Sequence, residues 1–132
     1  MQINIESRTM IPHITPPAGA ILISITSPDN DHPEVKENWK AVLRLKFDDI
    51  EQKFTEDDVL FSEDQAAAIL DFVKRHNPSI LWVNCDAGVS RSAGVAVALD
   101  RIFNGVDTRS LYPYHNTHVA RTIVQKFGNS LS

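Results

Sequence analysis

Apolar positions fall into four short runs and three longer periodic stretches. AILISI (Ala20–Ile25) is almost unbroken and stops at Thr26-Ser27-Pro28, the pattern of a strand buried on both faces. AVLRL (Ala41–Leu45) and ILWVN (Ile80–Asn84) read as further strands, and INI near the start as a short one. Between AVLRL and ILWVN, Ala66, Ile69, Leu70 and Val73 recur at helical spacing. Ser62 supplies an N-cap with Gln65 closing a capping box, Glu63 and Asp64 suit the first turn, and Asn77-Pro78 stops the helix. RSAGVAVALDRIFNG predicts a largely buried helix ending at Gly105. A last helix is predicted from Asn116 or Thr117, carrying Val119, Ile123, Val124 and Phe127.

Strands alternating with helices indicate an α/β fold, a central, mainly parallel sheet flanked by helices. The small residues Ala93, Gly94, Ala96 and Ala98 are expected to bring their helix close to that sheet. Ligands of such sheets bind beyond the carboxyl ends of the strands, where Cys85 lies.

Composition narrows the class. The 132 residues carry no repeat or linker and are expected to form a single domain over 1–132. A net charge of −4 gives no reason to expect nucleic acid or an anionic membrane as partner. No apolar run approaches the roughly 20 residues of a membrane span. A lone cysteine forms no intramolecular disulfide, so a reducing cytoplasm is the expected location. His115 and His118 have a spacing that two metal ligands use, but no cysteine or carboxylate cluster joins them, so no metal site is expected. Trp82 is expected in the core; Trp39, Tyr112 and Tyr114 suit either packing or the rim of a site.

The chemistry is concentrated in CDAGVSRS, Cys85 to Ser92. A strand, a tight loop and a helix N-terminus turn backbone N–H groups inward around an anion, with the helix dipole behind them. The same surroundings favour a thiolate over a thiol. Arg91 offers a planar fork for two phosphoryl oxygens, and Ser92 a hydroxyl to help the sulfur leave. Gly88 is expected to let the backbone turn without a Cβ pressing on the anion. The expected phosphate cradle is therefore Asp86, Ala87, Gly88, Val89, Ser90 and Arg91, with the Asp86 side chain turned to solvent. Nucleophile, guanidinium, amides and hydroxyl together suit phosphoryl transfer through a cysteinyl-phosphate.

CDAGVSRS resembles the Cys-x5-Arg-Ser/Thr signature of cysteine-based protein phosphatases, most closely their compact dual-specificity branch. The resemblance spans roughly Leu43 to Gly105, and YPYHNTHVARTIVQ is similar to the start of the family's final helix, with Asn116 as the matching, mainly structural asparagine. It implies a phosphomonoester hydrolase acting on phosphotyrosine, phosphoserine or phosphothreonine in proteins, without metal or organic cofactor. The implied partner is a phosphorylated protein or peptide; separately, the chain is expected to be a monomer. It also implies a general acid just after the strand preceding the long helix. Asp49 matches that position and neighbouring Asp48 is the alternative.

One position departs from the family. Asn84 stands where most members have a histidine that braces the loop, and an amide carries no positive charge. A loop of ordinary shape around a less reactive thiol is the expectation. Two other readings stay open: a module that binds phosphate without turnover, and a phosphatase acting on a non-protein phosphate ester. A thiol redox enzyme needs a resolving cysteine, and none is present.

Overall fold

The computed structural model describes the chain from residue 1 to residue 130. Strands β1 (Gln2–Ser7), β2 (Ile21–Thr26), β3 (Ala41–Lys46) and β4 (Ile80–Cys85) form a parallel sheet in the order β1-β4-β2-β3. Helices α1 (Glu63–His76), α2 (Arg91–Leu99) and α3 (Thr117–Ser130) complete the frame. Every residue of β2 is buried, as its unbroken apolar run requires of a strand covered on both faces.

The two faces are covered differently. Ile21, Ile23 and Ile25 of β2 join Leu81, Val83 and Cys85 of β4 on the helical face, against Ile69, Val95 and Ile123. On the opposite face Leu22 meets Ile11, Ala20 and Trp39, with half-buried Trp82 and Val42 against them. Alternation along β4 thus sends Cys85 towards the helices and Asn84 away from them.

Local signals account for the helix ends. Ser62 accepts from the Gln65 N–H while the Gln65 side chain accepts from Ser62, and Asn77 caps the other end in the left-handed region (φ 41°). The helix predicted to reach Gly105 changes character first: α2 ends at Leu99, and Asp100–Asn104 form a π-turn before Gly105 (φ 66°). Asp100 is buried there, accepting from Asn104 and Thr108. Gly94 serves a different neighbour from the one expected. A Cβ on it would stand 2.6 Å from the carbonyl oxygen of Asn116 and 3.0 Å from Val119 Cβ, so it lets α2 approach the start of α3 rather than the sheet.

Among the described residues, no helix is long and apolar enough to cross a membrane.

Candidate active site

β4 is an inner strand of the sheet, and its last residue is Cys85. The chain then curls through residues 86–90 and enters α2 at Arg91. Cys85 Sγ lies at the floor of this loop, 1% exposed, receiving the Gly88 N–H at 3.2 Å and lying 3.1 Å from Ser92 Oγ. The sulfur thus meets an inward amide, a hydroxyl and the first turn of a helix. Gly88 is needed for a reason other than the expected one. Its φ is 78°, and a Cβ would fall 2.7 Å from the Glu6 carbonyl carbon and the Ser7 nitrogen, so it is the end of β1, not an anion, that excludes a side chain.

Arg91 is 4% exposed and held from one side. Nη1 donates to Ser27 Oγ (3.1 Å) and to the Phe47 carbonyl (2.8 Å), and Nη2 donates to Asp86 Oδ2 (2.9 Å). Nε is buried and finds no hydrogen-bond partner among the described residues. Asp86 does not turn to solvent as expected. Its carboxylate folds back onto Arg91, and also accepts from Ser27 Oγ (2.9 Å) and Thr26 Oγ1 (3.1 Å). Burial pushes its pKa up, but the Arg91, Ser27 and Thr26 hydrogen bonds and the Arg91 charge outweigh that and hold it below the ordinary carboxylate value. Arg8 stands behind the group, donating to Thr26 Oγ1 at 2.8 Å and lying 3.9 Å from Asp86 Oδ1.

The two candidate acids occupy different places. Asp48 is tied to Val59 by both its backbone N–H and its carboxylate, each at 2.8 Å, and so shapes the loop after β3. Asp49 Oδ1 instead accepts from Ser90 Oγ at 2.7 Å and from Asn116 Nδ2 at 3.0 Å, which puts it beside the loop. Asn116 joins three parts at once. Its Oδ1 accepts from the Val119 N–H as the N-cap of α3, its Nδ2 reaches Asp49 and Ile50, and its N–H donates to the Ser90 carbonyl. Glu51 adds a second clasp by accepting from the N–H and hydroxyl of Thr117. Those hydrogen bonds hold its carboxyl below the ordinary range.

A cleft of about 460 Å³ opens beside this assembly, bounded by Asp49, Ser90 and Asn116 and by the exposed rings of Phe54 and Tyr114. Trp39 and Tyr112 belong to the packing of the two cores. A larger groove of about 820 Å³ runs between α2 and α3, with Val97 and Val124 in its lining and Arg101 and Arg121 at its edge, and Cys85 does not line it. His115 and His118 contact the carbonyl oxygens of Tyr112 and Phe61. No group of three or more histidine, cysteine or acidic side chains suited to a metal ion occurs among the described residues. Asn84 is fully buried, and neither its Oδ1 nor its Nδ2 has a partner among the described residues. It sits in register with Ser24 of β2, whose buried hydroxyl is likewise unpartnered, so it braces nothing in the loop.

No protein-family profile and no curated protein sequence matches the chain. Solved structures do. Human DUSP28 superposes with a TM-score of 0.55 at 20% identity, over 98% of this chain and 92% of its own. A human tyrosine phosphatase-like serine/threonine/tyrosine-interacting protein superposes with a TM-score of 0.51 at 17% identity, over 86% of this chain and 79% of its own. The chain has the dual-specificity phosphatase fold.

Within this dual-specificity phosphatase fold, residues scattered from Arg8 to Asn116 converge on one loop. The signature from Cys85 to Ser92 was visible as a local pattern. Ser27 and Arg8 were not, because they reach the site through strand ends far away in sequence. The only advance signal for Ser27 was its place at the carboxyl end of a buried strand, the end where ligands of such sheets bind.

Proposed function

We propose that the chain is a cysteine-dependent phosphomonoester hydrolase. The observation that carries this reading is Cys85 Sγ seated under the Gly88 amide and beside Ser92 while Arg91 keeps a buried Nε that has no hydrogen-bond partner among the described residues. In this reading the phosphoryl group enters the loop and its oxygens take the backbone amides and the Arg91 guanidinium. The Cys85 thiolate attacks phosphorus, the phosphorus–oxygen ester bond breaks, and Asp49 gives its proton to the departing oxygen. Asp49, now a carboxylate, then takes a proton from water as that water attacks phosphorus. Sulfur leaves as thiolate, receiving a hydrogen bond from Ser92, and phosphate is released.

The substrate class is a phosphorylated protein or peptide. The cleft beside Asp49 is open and walled by the exposed rings of Phe54 and Tyr114, which suits an aryl ester and admits a phosphorylated serine or threonine on an extended chain. Hydrolysis of a chromogenic aryl phosphate by wild type, Cys85→Ser and Arg91→Lys is the test. Cys85→Ser is expected to be inactive, and Arg91→Lys, which loses the two-pronged donor, to fall by about 100-fold or more. Wild-type turnover no faster than that of Cys85→Ser would overturn the reading.

A phosphate-binding module without turnover is the second reading. The unbraced Asn84 behind the loop favours it, and one structural neighbour is described as phosphatase-like and interacting rather than as a phosphatase. That module would bind phosphotyrosine peptide without consuming it.

A further inference from the structure

We infer that Asp86 is the positioning residue of Arg91: with Ser27, its carboxylate holds the guanidinium by the edge that faces away from phosphate. A guanidinium has two edges that present paired N–H groups, one formed by both Nη atoms and the other by Nε with Nη2. The first is occupied. Ser27 Oγ takes Nη1 at 3.1 Å and Asp86 Oδ2 takes Nη2 at 2.9 Å, while Ser27 itself donates to Asp86 Oδ2 at 2.9 Å, so the two acceptors are locked to each other. The remaining Nη1 hydrogen goes to the Phe47 carbonyl. What is left is the Nε edge, buried and without a partner among the described residues. A buried donor left unpaired is costly, and a ligand oxygen that satisfies it recovers that cost on binding.

The bracket is itself supported. Asp86 Oδ1 accepts from Thr26 Oγ1, Thr26 accepts from Arg8, and the Asp86 carbonyl accepts from the Arg8 N–H at 3.1 Å. Three segments that meet only in the folded chain therefore fix one carboxylate. A carboxylate this close to an anion site also repels the anion. The arrangement is favourable because a guanidinium fixed in its productive orientation loses little rotational freedom when phosphate arrives. The Asp86 carboxylate is spent on Arg91, Ser27 and Thr26, so its part is orientation.

This inference rests on the phosphate-binding half of the proposed function and not on turnover, so the test reads binding separately. Inorganic phosphate is titrated into wild type, Asp86→Ala, Asp86→Asn and Ser27→Ala, followed by calorimetry and by the NMR signals of the Arg91 side-chain N–H groups. Thermal melts identify any variant that has lost its fold. In wild type, restricted rotation keeps the Arg91 Nη signals distinct, and phosphate shifts the Nε signal. Asp86→Ala is expected to merge the Nη signals and to weaken phosphate binding by about tenfold or more, the loss of a hydrogen bond to a charged group. Asp86→Asn keeps an acceptor oxygen and is expected to restore most of both, with Ser27→Ala falling between. If activity is measurable, the same variants should show the change chiefly in KM. Phosphate binding in folded Asp86→Ala as tight as in wild type, or tighter, would show a merely repulsive carboxylate and overturn the inference. A wild type that binds phosphate with an Nε shift yet never turns over ester would remove the hydrolase and leave the bracket intact.

Discussion

The Ser90 hydroxyl donates a 2.7 Å hydrogen bond to Asp49, joining the loop that carries the thiol to the loop that carries the candidate acid. Neighbouring Asp48 makes no such link and spends its carboxylate on the Val59 N–H. The two aspartates should therefore fail in different ways. Asp49→Ala is expected to lower kcat on an alkyl or peptide phosphate by about 100-fold or more with little loss of stability, in line with removal of a general acid. Asp48→Ala should keep the pH profile but melt at lower temperature, because an exposed loop loses its tie. Loss of one limb of the kcat profile only in Asp48→Ala would reverse the assignment.

Asn116 should behave as a joint and not as a reactant. Asn116→Ala removes the α3 cap, worth about 1 kcal/mol, together with the bonds to Asp49 and Ile50. The expected outcome is a lower denaturation midpoint and a reduced kcat with phosphate affinity retained. Denaturant melts and phosphate titration on the same sample check both parts.

Asn84 offers a gain-of-function test. With no partner among the described residues for either side-chain atom, it gives the thiol no support, whereas an imidazole can donate to the loop and carry charge. Asn84→His is expected to speed alkylation of Cys85 at neutral pH. Asn84→Leu is expected to cost no stability, since each buried unpaired polar atom it removes is a liability of about 1–3 kcal/mol. An unchanged alkylation rate in a correctly folded Asn84→His protein would remove the first idea, and a lower midpoint for Asn84→Leu the second.

Asp86 sets a pH dependence with a definite sign. Its carboxyl is held below the ordinary value of 3.8, so its stabilising contribution is fully present above that pH and is lost as the pH falls through the lowered value. Denaturant midpoints of wild type and Asp86→Asn should differ at pH 6 and converge in strong acid. A gap that stays constant down to acid denaturation would contradict the ion pair.

Glycine positions separate strain from collision. Gly105→Ala meets open space at φ 66° and is expected to cost about 1–2 kcal/mol. Gly88→Ala combines φ 78° with a Cβ 2.7 Å from the β1 backbone, so phosphate binding should be abolished even where the protein still folds. Circular dichroism alongside phosphate titration distinguishes the two.

What was legible in the sequence was what local chemistry decides. The capping box of Ser62 and Gln65, the unbroken apolar run of β2 and the spacing from Cys85 to Arg91 all act within a few residues. The parallel sheet followed from their alternation. Contacts that need register did not follow: Asp86 pairs with Ser27 across 59 positions, and Gly88 meets Glu6 and Ser7 only because β1 lies beside β4. The different surroundings of Asp48 and Asp49 come from Val59 and Asn116, neither adjacent in sequence. The π-turn after Leu99 had no counterpart in the helical periodicity, because an extra residue per turn leaves the apolar pattern nearly unchanged over so short a stretch.

The pairing of β1 with β4 also has a kinetic side. Residues 2–7 are synthesised well before their partners, residues 80–85, so the seat for Gly88 stays unbuilt until β4 has been made. Such long-range closure is slow and comes late in folding. The proposed anion binding is then a property of the finished molecule: a short excised loop peptide should not reproduce it, and phosphate should act as a chemical chaperone for the whole fold.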